Sequence, residues 1–510
     1  METTVLEIAA SFGSAPKRSL ILAGGGMRVA YQAGVIRALV EHGYRFAHID
    51  GSSGGIINLS MILSGIDSSD MIRRWTSLDV QSFSSPMPLR AWLSPMNLPG
   101  LSSADGIRTK VFPHLGIDEA TLNRERSLTG TFNVANFSRK TVEVISNDVV
   151  TLDLLIAGVS LPIVMPAVTI DGDAYIDAVW IRDANLLEAV RRGAEEIWVV
   201  WCIGNTKHYK PGPFAQYVHM IEMSANGSLF DQLERIEELN KTRDKPVIVH
   251  VIRPEYPIPL DPDFFLGRIT AQTLIEIGYD DAQRYLSDVP SVGTPLTPAA
   301  TAMVDETPGV TFTERMSGWF AFGEFDAARG AARGQRENTR LTLHGVVDIR
   351  DLAKFLNDPS HPGVLNGHVD GAGLRGPLLG TRGVFKLFSP TTDPALKLMV
   401  YEVGFTSDGK QYYLAGKKLV RHHFVLKLWP DTTTLYVQLH EGTDASGPVV
   451  GAGILHLGIV DLIKLLVTMH ATNADANHSS RALVLEFLRM FLGELWVTYM
   501  QRLMKSSTAS

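Results

Sequence analysis

The fold of the first half of this chain is set by two linked stretches, Ser19-Leu20-Ile21-Leu22-Ala23-Gly24-Gly25-Gly26-Met27-Arg28 and Phe46-Ala47-His48-Ile49-Asp50-Gly51-Ser52-Ser53-Gly54-Gly55. Each is a short apolar run that enters a glycine-rich turn. Each turn then opens a segment of helical composition, Ala30 to Glu41 and Ile56 to Leu63. Strand–turn–helix repeated twice predicts parallel strands, because parallel neighbours need a crossover that a helix supplies. Working outward, the runs Phe132 to Ala135, Thr141 to Val144, Ile197 to Cys202 and Val247 to Val251 read as further strands. Asn185 to Arg192 and Leu229 to Lys241 read as helices between them. Residues 18–288 are therefore expected to form an α/β domain with a largely parallel sheet, preceded by an N-terminal segment, 1–17.

From Pro290 to Pro308 the sequence turns to Pro, Thr, Ser, Gly and Ala, which favours an extended linker, placed at 289–315. Beyond it Leu341 to Ile349, Val384 to Phe388, Leu396 to Phe405, Gln411 to Leu414, His423 to Leu428, Thr434 to Leu439 and Ile454 to Leu457 read as strands. Turn signals such as Ser407-Asp408-Gly409 separate them, as in antiparallel hairpins. Residues 316–510 are expected to be a mainly β, barrel-like domain. It closes with a helix over Arg481 to Arg502, whose Leu483, Phe487, Met490, Phe491, Leu495 and Val497 make an apolar stripe suited to packing on the barrel.

Composition excludes several classes of function. A formal net charge of -7 argues against nucleic-acid binding, which draws its affinity from phosphate neutralisation by basic residues. It also makes electrostatic attraction to anionic lipid weak, so any membrane contact is expected to be local, apolar and peripheral. Cys202 is the one cysteine, set in an apolar run without cationic neighbours, and reads as an inert buried thiol. Met1 to Pro16 lacks the apolar core of a secretory signal, and no stretch approaches the roughly 20 apolar residues of a membrane span. A cytoplasmic location is expected.

The chemistry is concentrated in the two opening motifs. Gly51-Ser52-Ser53-Gly54-Gly55 fits G-x-S-x-G between a strand and a helix, the setting in which a sharp turn exposes a nucleophilic serine hydroxyl. Gly24, Gly25 and Gly26 place bare N–H groups before a helix, where negative charge is stabilised; this suits an oxyanion hole, with a simple tight turn as the other reading. Neither phosphate-binding glycine pattern fits these residues.

Taken together, these motifs resemble the patatin-like phospholipase family. Two later stretches extend the resemblance: Ala157 to Pro166, with prolines at 162 and 166, and Tyr175-Ile176-Asp177-Ala178-Val179, in the place of the family's D-G-[GA] aspartate. The resemblance covers about Arg18 to Asp288 and implies a three-layer hydrolase domain. It implies a Ser53–Asp177 catalytic dyad, an oxyanion hole from Gly24, Gly25 and Gly26, and Arg28 orienting that loop or adding positive potential. It implies no metal or organic cofactor. The substrate would be a lipid ester, either a phospholipid or a neutral or steryl ester. One residue departs from the pattern, Ala178 in place of the family glycine, which is tolerated where its φ is negative.

Other readings remain beside this one. Asp171 in Asp171-Gly172-Asp173 is a rival base but reads as a turn, and Asp183 reads as a helix cap. A Ser-His-Asp triad would take its base from His208 or His250. A catalytically silent lipid- or sterol-binding protein is the reading outside enzymology. Met71 to Arg108, with its Met, Trp, Leu and Pro residues, suits either a mobile cap over the site or a packed connection. The region Met316 to Tyr499 weakly resembles a lipocalin-like accessory region of sterol-oxidase-like flavoproteins, through Trp429 to Tyr436 and Gly451 to Leu455. That resemblance implies a barrel able to enclose an apolar ligand. The sequence leaves the oligomeric state open.

Overall fold

The computed structural model describes residues 16–87, 98–209, 211–254, 258, 270–289, 303, 307–374, 378–393, 396–407, 410–421, 432–474 and 479–506. It divides into two compact units, Met1–Asp305 and Glu306–Ser510. Most of the 1–17 segment, most of the Pro290 to Pro308 stretch, the core of the cap region (88–97), Asp408-Gly409 and His423 to Asp431 lie outside the described residues.

The first unit carries β1 (Arg18–Leu22), β2 (His48–Ser52), β3 (Ser85–Pro86), β4 (Ser102–Ser103), β5 (Thr129–Asn136), β6 (Thr141–Ser146), β7 (Val168–Ile170), β8 (Asp173–Asp177), β9 (Glu196–Val200) and β10 (Ile248–Ile252). The main sheet runs β10-β9-β1-β2-β5-β8-β7, with β6 also on β5; β3 and β4 form a separate small ribbon. Its first five strands are parallel, and β6, β7 and β8 add an antiparallel margin.

Alternation along these buried strands sends side chains to two helical layers. Ile21, Ile197, Val199 and Val249 pack with Leu229, Leu233 and Ile236 of the Pro213–Asn240 helix. Trp198 and His250 face Tyr285 of the Ala271–Ser287 helix instead. The domain is thus the three-layer α/β architecture expected. Register aligns Leu22 with both Gly51 and Val200, so the glycine loop after β1 and the serine turn after β2 leave the same edge of the sheet. Ligands of parallel sheets gather at that carboxyl edge.

The second unit contains β11 (Gly309–Phe322), β12 (Arg340–Ile349), β13 (Pro362–Gly371), β14 (Leu378–Pro390), β15 (Leu396–Ser407), β16 (Lys410–Arg421), β17 (Thr434–Glu441), β18 (Val449–Leu457) and β19 (His470–Thr472). Each of β11 to β18 is antiparallel to the next, and β18 returns to β11 through Met316↔Leu457 to Phe322↔Gly451. The result is a closed, eight-stranded up-and-down barrel, which removes exposed sheet edges. Its first strand begins at Gly309, inside the stretch read as linker.

The barrel encloses a continuous core that includes Phe312, Phe320, Leu343, Phe385, Tyr401, Phe405 and Leu435. Leu483 and Phe487 of the Ser480–Ser506 helix join that core, and Phe491 lies 5.5 Å, ring to ring, from Phe388. The helix therefore packs on the barrel, as its stripe predicted. Among the described residues, no helix is long and apolar enough to cross a membrane.

Candidate active site

Ser53 stands at the sharp turn between β2 and the Gly55–Leu63 helix, with φ of 50°. A left-handed conformation is costly for a serine and marks a position whose geometry the surroundings impose. The turn is tight: a Cβ on Gly55 would come within 2.0 Å of the Leu22 carbonyl oxygen, so the helix seats directly on the end of β1.

Asp177 ends β8, where its N–H donates to the Ser160 carbonyl at 3.0 Å. The Ser53 hydroxyl donates to Asp177 Oδ2 at 2.6 Å, and Oδ1 accepts the Val179 N–H at 2.9 Å. The carboxyl is 0% exposed and Ser53 4%. Burial pushes the Asp177 pKa up to about 7, against the lowering effect of its hydrogen bonds to Ser53 and Val179. An acid so placed is a far better proton acceptor at neutral pH than a solvated aspartate. Ala178 is absent from the residues with positive φ, so replacing the family glycine imposes no left-handed strain here.

The structure apportions the glycine loop more finely than the sequence does. The Gly24 N–H is committed: it donates to Asp183 Oδ2 at 3.0 Å. Arg28 is buried and its Nε donates to the Gly25 carbonyl at 2.9 Å, so it braces the loop from within. Gly26, two residues after Gly24, lines the cavity above Ser53.

That cavity has a volume of about 230 Å³ and is walled mainly by Met27, Ile57, Phe83, Ile107, Val159, Leu161, Val164 and Met165, with Ser53 and Asp177 among its lining residues. Phe83 and Ile107 come from the stretch read as a cap or a packed connection, and Leu161, Val164 and Met165 from the Ala157 to Pro166 segment. An apolar wall with a few convergent polar groups is the usual form of a small-molecule site.

The rival bases lie elsewhere. Asp171 has φ of 50° and turns between β7 and β8. His250 stacks on Trp198 at 4.0 Å, and its Nδ1 lies 3.0 Å from the Tyr285 hydroxyl. His208 lines a different cavity beside His219 and Glu222. Among the described residues no histidine lines the cavity that holds Ser53. Cys202 is fully buried and its thiol is pushed up to about 12 by that burial, with Arg28 and Gln32 acting against it.

Asp183 differs from expectation. The Leu186–Arg191 helix is capped by Asn185, whose side chain accepts the Glu188 N–H; Asp183 turns inward to Gly24 instead. A second supporting group went unread in the sequence. Asp50, 0% exposed within β2, accepts from Thr131 Oγ1 at 2.5 Å and Asn133 Nδ2 at 2.6 Å, and Asn133 also donates to Ser52 Oγ at 3.0 Å. Burial raises Asp50 to about 7. This network fixes the strand that leads into Ser53. A polar residue inside an apolar run was its only signal.

Residues 20–190 match the family described as patatin-like phospholipase, and the N-terminal unit is a patatin-like domain. Among solved structures, VipD from Legionella pneumophila aligns at 14% identity with a TM-score of 0.31, over 53% of this chain and 67% of that one. The type III effector protein ExoU aligns at 15% identity with a TM-score of 0.20, over 43% of this chain and 53% of that one, so this chain spans about half of ExoU's length. No curated protein matches this chain.

Proposed function

We propose that the N-terminal unit is a lipid acyl hydrolase working through a Ser53–Asp177 dyad. The observation that carries this reading is the 2.6 Å hydrogen bond from Ser53 to Asp177 beside an apolar cavity that no described histidine lines. Serine needs an adjacent base to become a nucleophile. In this reading ionised Asp177 takes the hydroxyl proton as Oγ attacks the ester carbonyl, and then passes it to the departing alcohol. Negative charge on the carbonyl oxygen is met by the Gly25 and Gly26 N–H groups, with Gly24 and Arg28 holding the loop. Asp177 next takes a proton from water as the water oxygen attacks the acyl carbon, and returns it to Ser53 Oγ as the acyl–Oγ bond breaks and the acid leaves.

The apolar wall suits an acyl chain, and the family match favours a lipid ester, phospholipid or neutral, presented at a membrane or lipid surface. The barrel is an accessory unit in this scheme. A sterol-binding role for it lacks support, since its inward-facing aromatic and aliphatic residues pack against one another.

The test is labelling of the purified chain with a fluorophosphonate, together with fatty-acid release from phospholipid and neutral-ester vesicles. Wild type is expected to label and hydrolyse, and Ser53→Ala to do neither. An Asp177→Asn enzyme with full activity would overturn the dyad, and a wild type inert in both assays would favour a binding protein.

A further inference from the structure

The site holds a second carboxyl that the dyad does not use. Asp183 and Ser53 crowd the same face of Gly24: a Cβ there would come within 2.1 Å of Asp183 Oδ1 and 2.6 Å of Ser53 Cβ. Only a residue without a Cβ leaves room there for both. Asp183 is 0% exposed, and while its Oδ2 accepts the Gly24 N–H, its Oδ1 is shielded from solvent and has no hydrogen-bond partner among the described residues. A buried carboxylate with one oxygen unpaired is costly; a protonated carboxyl in the same place costs far less, because no charge is desolvated.

The groups facing Asp183 point the same way. Burial first, then the charge of Asp177, push Asp183 well above the usual carboxylate range, with the Gly24 N–H and Arg28 acting against them. Arg28 forms no ion pair with it among the described residues; its Nε donates to the Gly25 carbonyl. Cys202, also nearby, is a neutral thiol at physiological pH. Asp183 is not among the residues lining the substrate cavity, so it acts through Gly24 rather than on substrate.

We propose that Ser53 is flanked by two carboxyls bearing one charge between them: Asp177 is ionised and serves as base, while Asp183 stays protonated and positions the oxyanion loop through Gly24. This rests on the dyad reading above. The Asp183 proton is retained throughout turnover; Asp177 alone relays protons, first from Ser53 to the leaving alcohol and then from water back to Ser53. Two ionisations then bound activity. Loss of the Asp177 proton turns the site on. Loss of the Asp183 proton sets a second negative charge beside the loop that must bind an oxyanion, and turns it off.

The experiment pairs the pH profile of fluorophosphonate labelling with infrared detection of a protonated carboxyl. Wild type is expected to give a bell. Asp183→Asn keeps a neutral oxygen acceptor for the Gly24 N–H, so it should label within about threefold of wild type at neutral pH and lose the alkaline fall. Asp183→Ala should lower kcat by about tenfold or more with KM little changed, since a loop donor is loosened without touching the cavity. At about pH 8.5, above the range where Asp177 and Asp50 ionise, a carboxylic acid band should persist in wild type and in Ser53→Ala and vanish in Asp183→Asn. Absence of that band from wild type, or an alkaline limb that survives in Asp183→Asn, would overturn the inference. Failure of wild type to label at any pH would remove the dyad reading, while the infrared band would still decide the state of Asp183.

Discussion

Glu314 in the barrel and Asp177 beside Ser53 are both carboxyls held away from water, and they differ in what faces them. Glu314, on β11, accepts from Lys418 Nζ at 2.6 Å and from the Tyr401 hydroxyl at 2.8 Å, and Lys418 also donates to Tyr401 at 3.1 Å. The ion pair is nearly inaccessible, with side chains 2% and 3% exposed. Among the described residues Asp177 has no cation against it; its partners are a hydroxyl and one N–H. The first cluster is closed and internally satisfied. The second is left with a proton affinity raised by burial and with a cavity above it. Buried charge compensated within the fold gives structure, and buried charge left uncompensated beside a cavity gives reactivity.

The comparison breaks most visibly at the nucleophile. Ser53→Ala should lower ester hydrolysis by roughly 10³-fold or more, as expected when a covalent path is removed, with thermal unfolding little changed. Asp177→Asn should cost about 10²- to 10⁴-fold in kcat/KM while making the protein harder to unfold at neutral pH, a split readable by kinetics and calorimetry on one sample. The sign follows from the raised value: between about pH 4 and 7 the unfolded chain releases this proton while the folded chain keeps it, so stability falls as pH rises through that window and levels off above it. Removing the carboxyl removes that loss, on the order of a few kcal/mol.

In the barrel the sign reverses. Lys418→Met strands Glu314 as an unpaired buried acid and should destabilise the second unit by about 3–5 kcal/mol, whereas Lys418→Met combined with Glu314→Gln should recover most of it. Denaturant unfolding of the full chain measures both. Should the single variant prove neutral, the cluster would not be the structural ion pair described. Activity sharpens the contrast further: kcat/KM should rise with pH through about 7 as Asp177 ionises. Smallest of all, Ala178→Gly should destabilise by about 0.4–1 kcal/mol through added freedom of the unfolded chain, with activity unchanged, because Ala178 already has a permitted φ.

Legibility followed the same division. The parallel strands of the first unit and the Ala30–Glu41 helix were readable because apolar runs and glycine turns repeat in a fixed order. Strand β2 was placed early, at Phe46 to Ile49, since Asp50, Gly51 and Ser52 do not look like strand residues until Thr131 and Asn133 pair with them. In the barrel β11 and β13 went unread. Glu314 occupies an inward position on β11 and interrupts the apolar alternation, and Pro362, Gly363, Asn366 and Gly367 give β13 the composition of a turn. Only Lys418, far along the chain, explains Glu314.

By itself, the sequence determined the order of elements in the first unit, the serine turn, the glycine loop and the segment carrying Asp177, because each rests on local backbone requirements that neighbouring residues announce. Tertiary structure alone decided which acid meets Ser53, that Gly24 is spent on Asp183 while Arg28 braces the loop, and that the barrel closes β18 on β11. Those outcomes depend on burial and on contacts between residues far apart in the chain, and neither burial nor distant contact is written in local pattern.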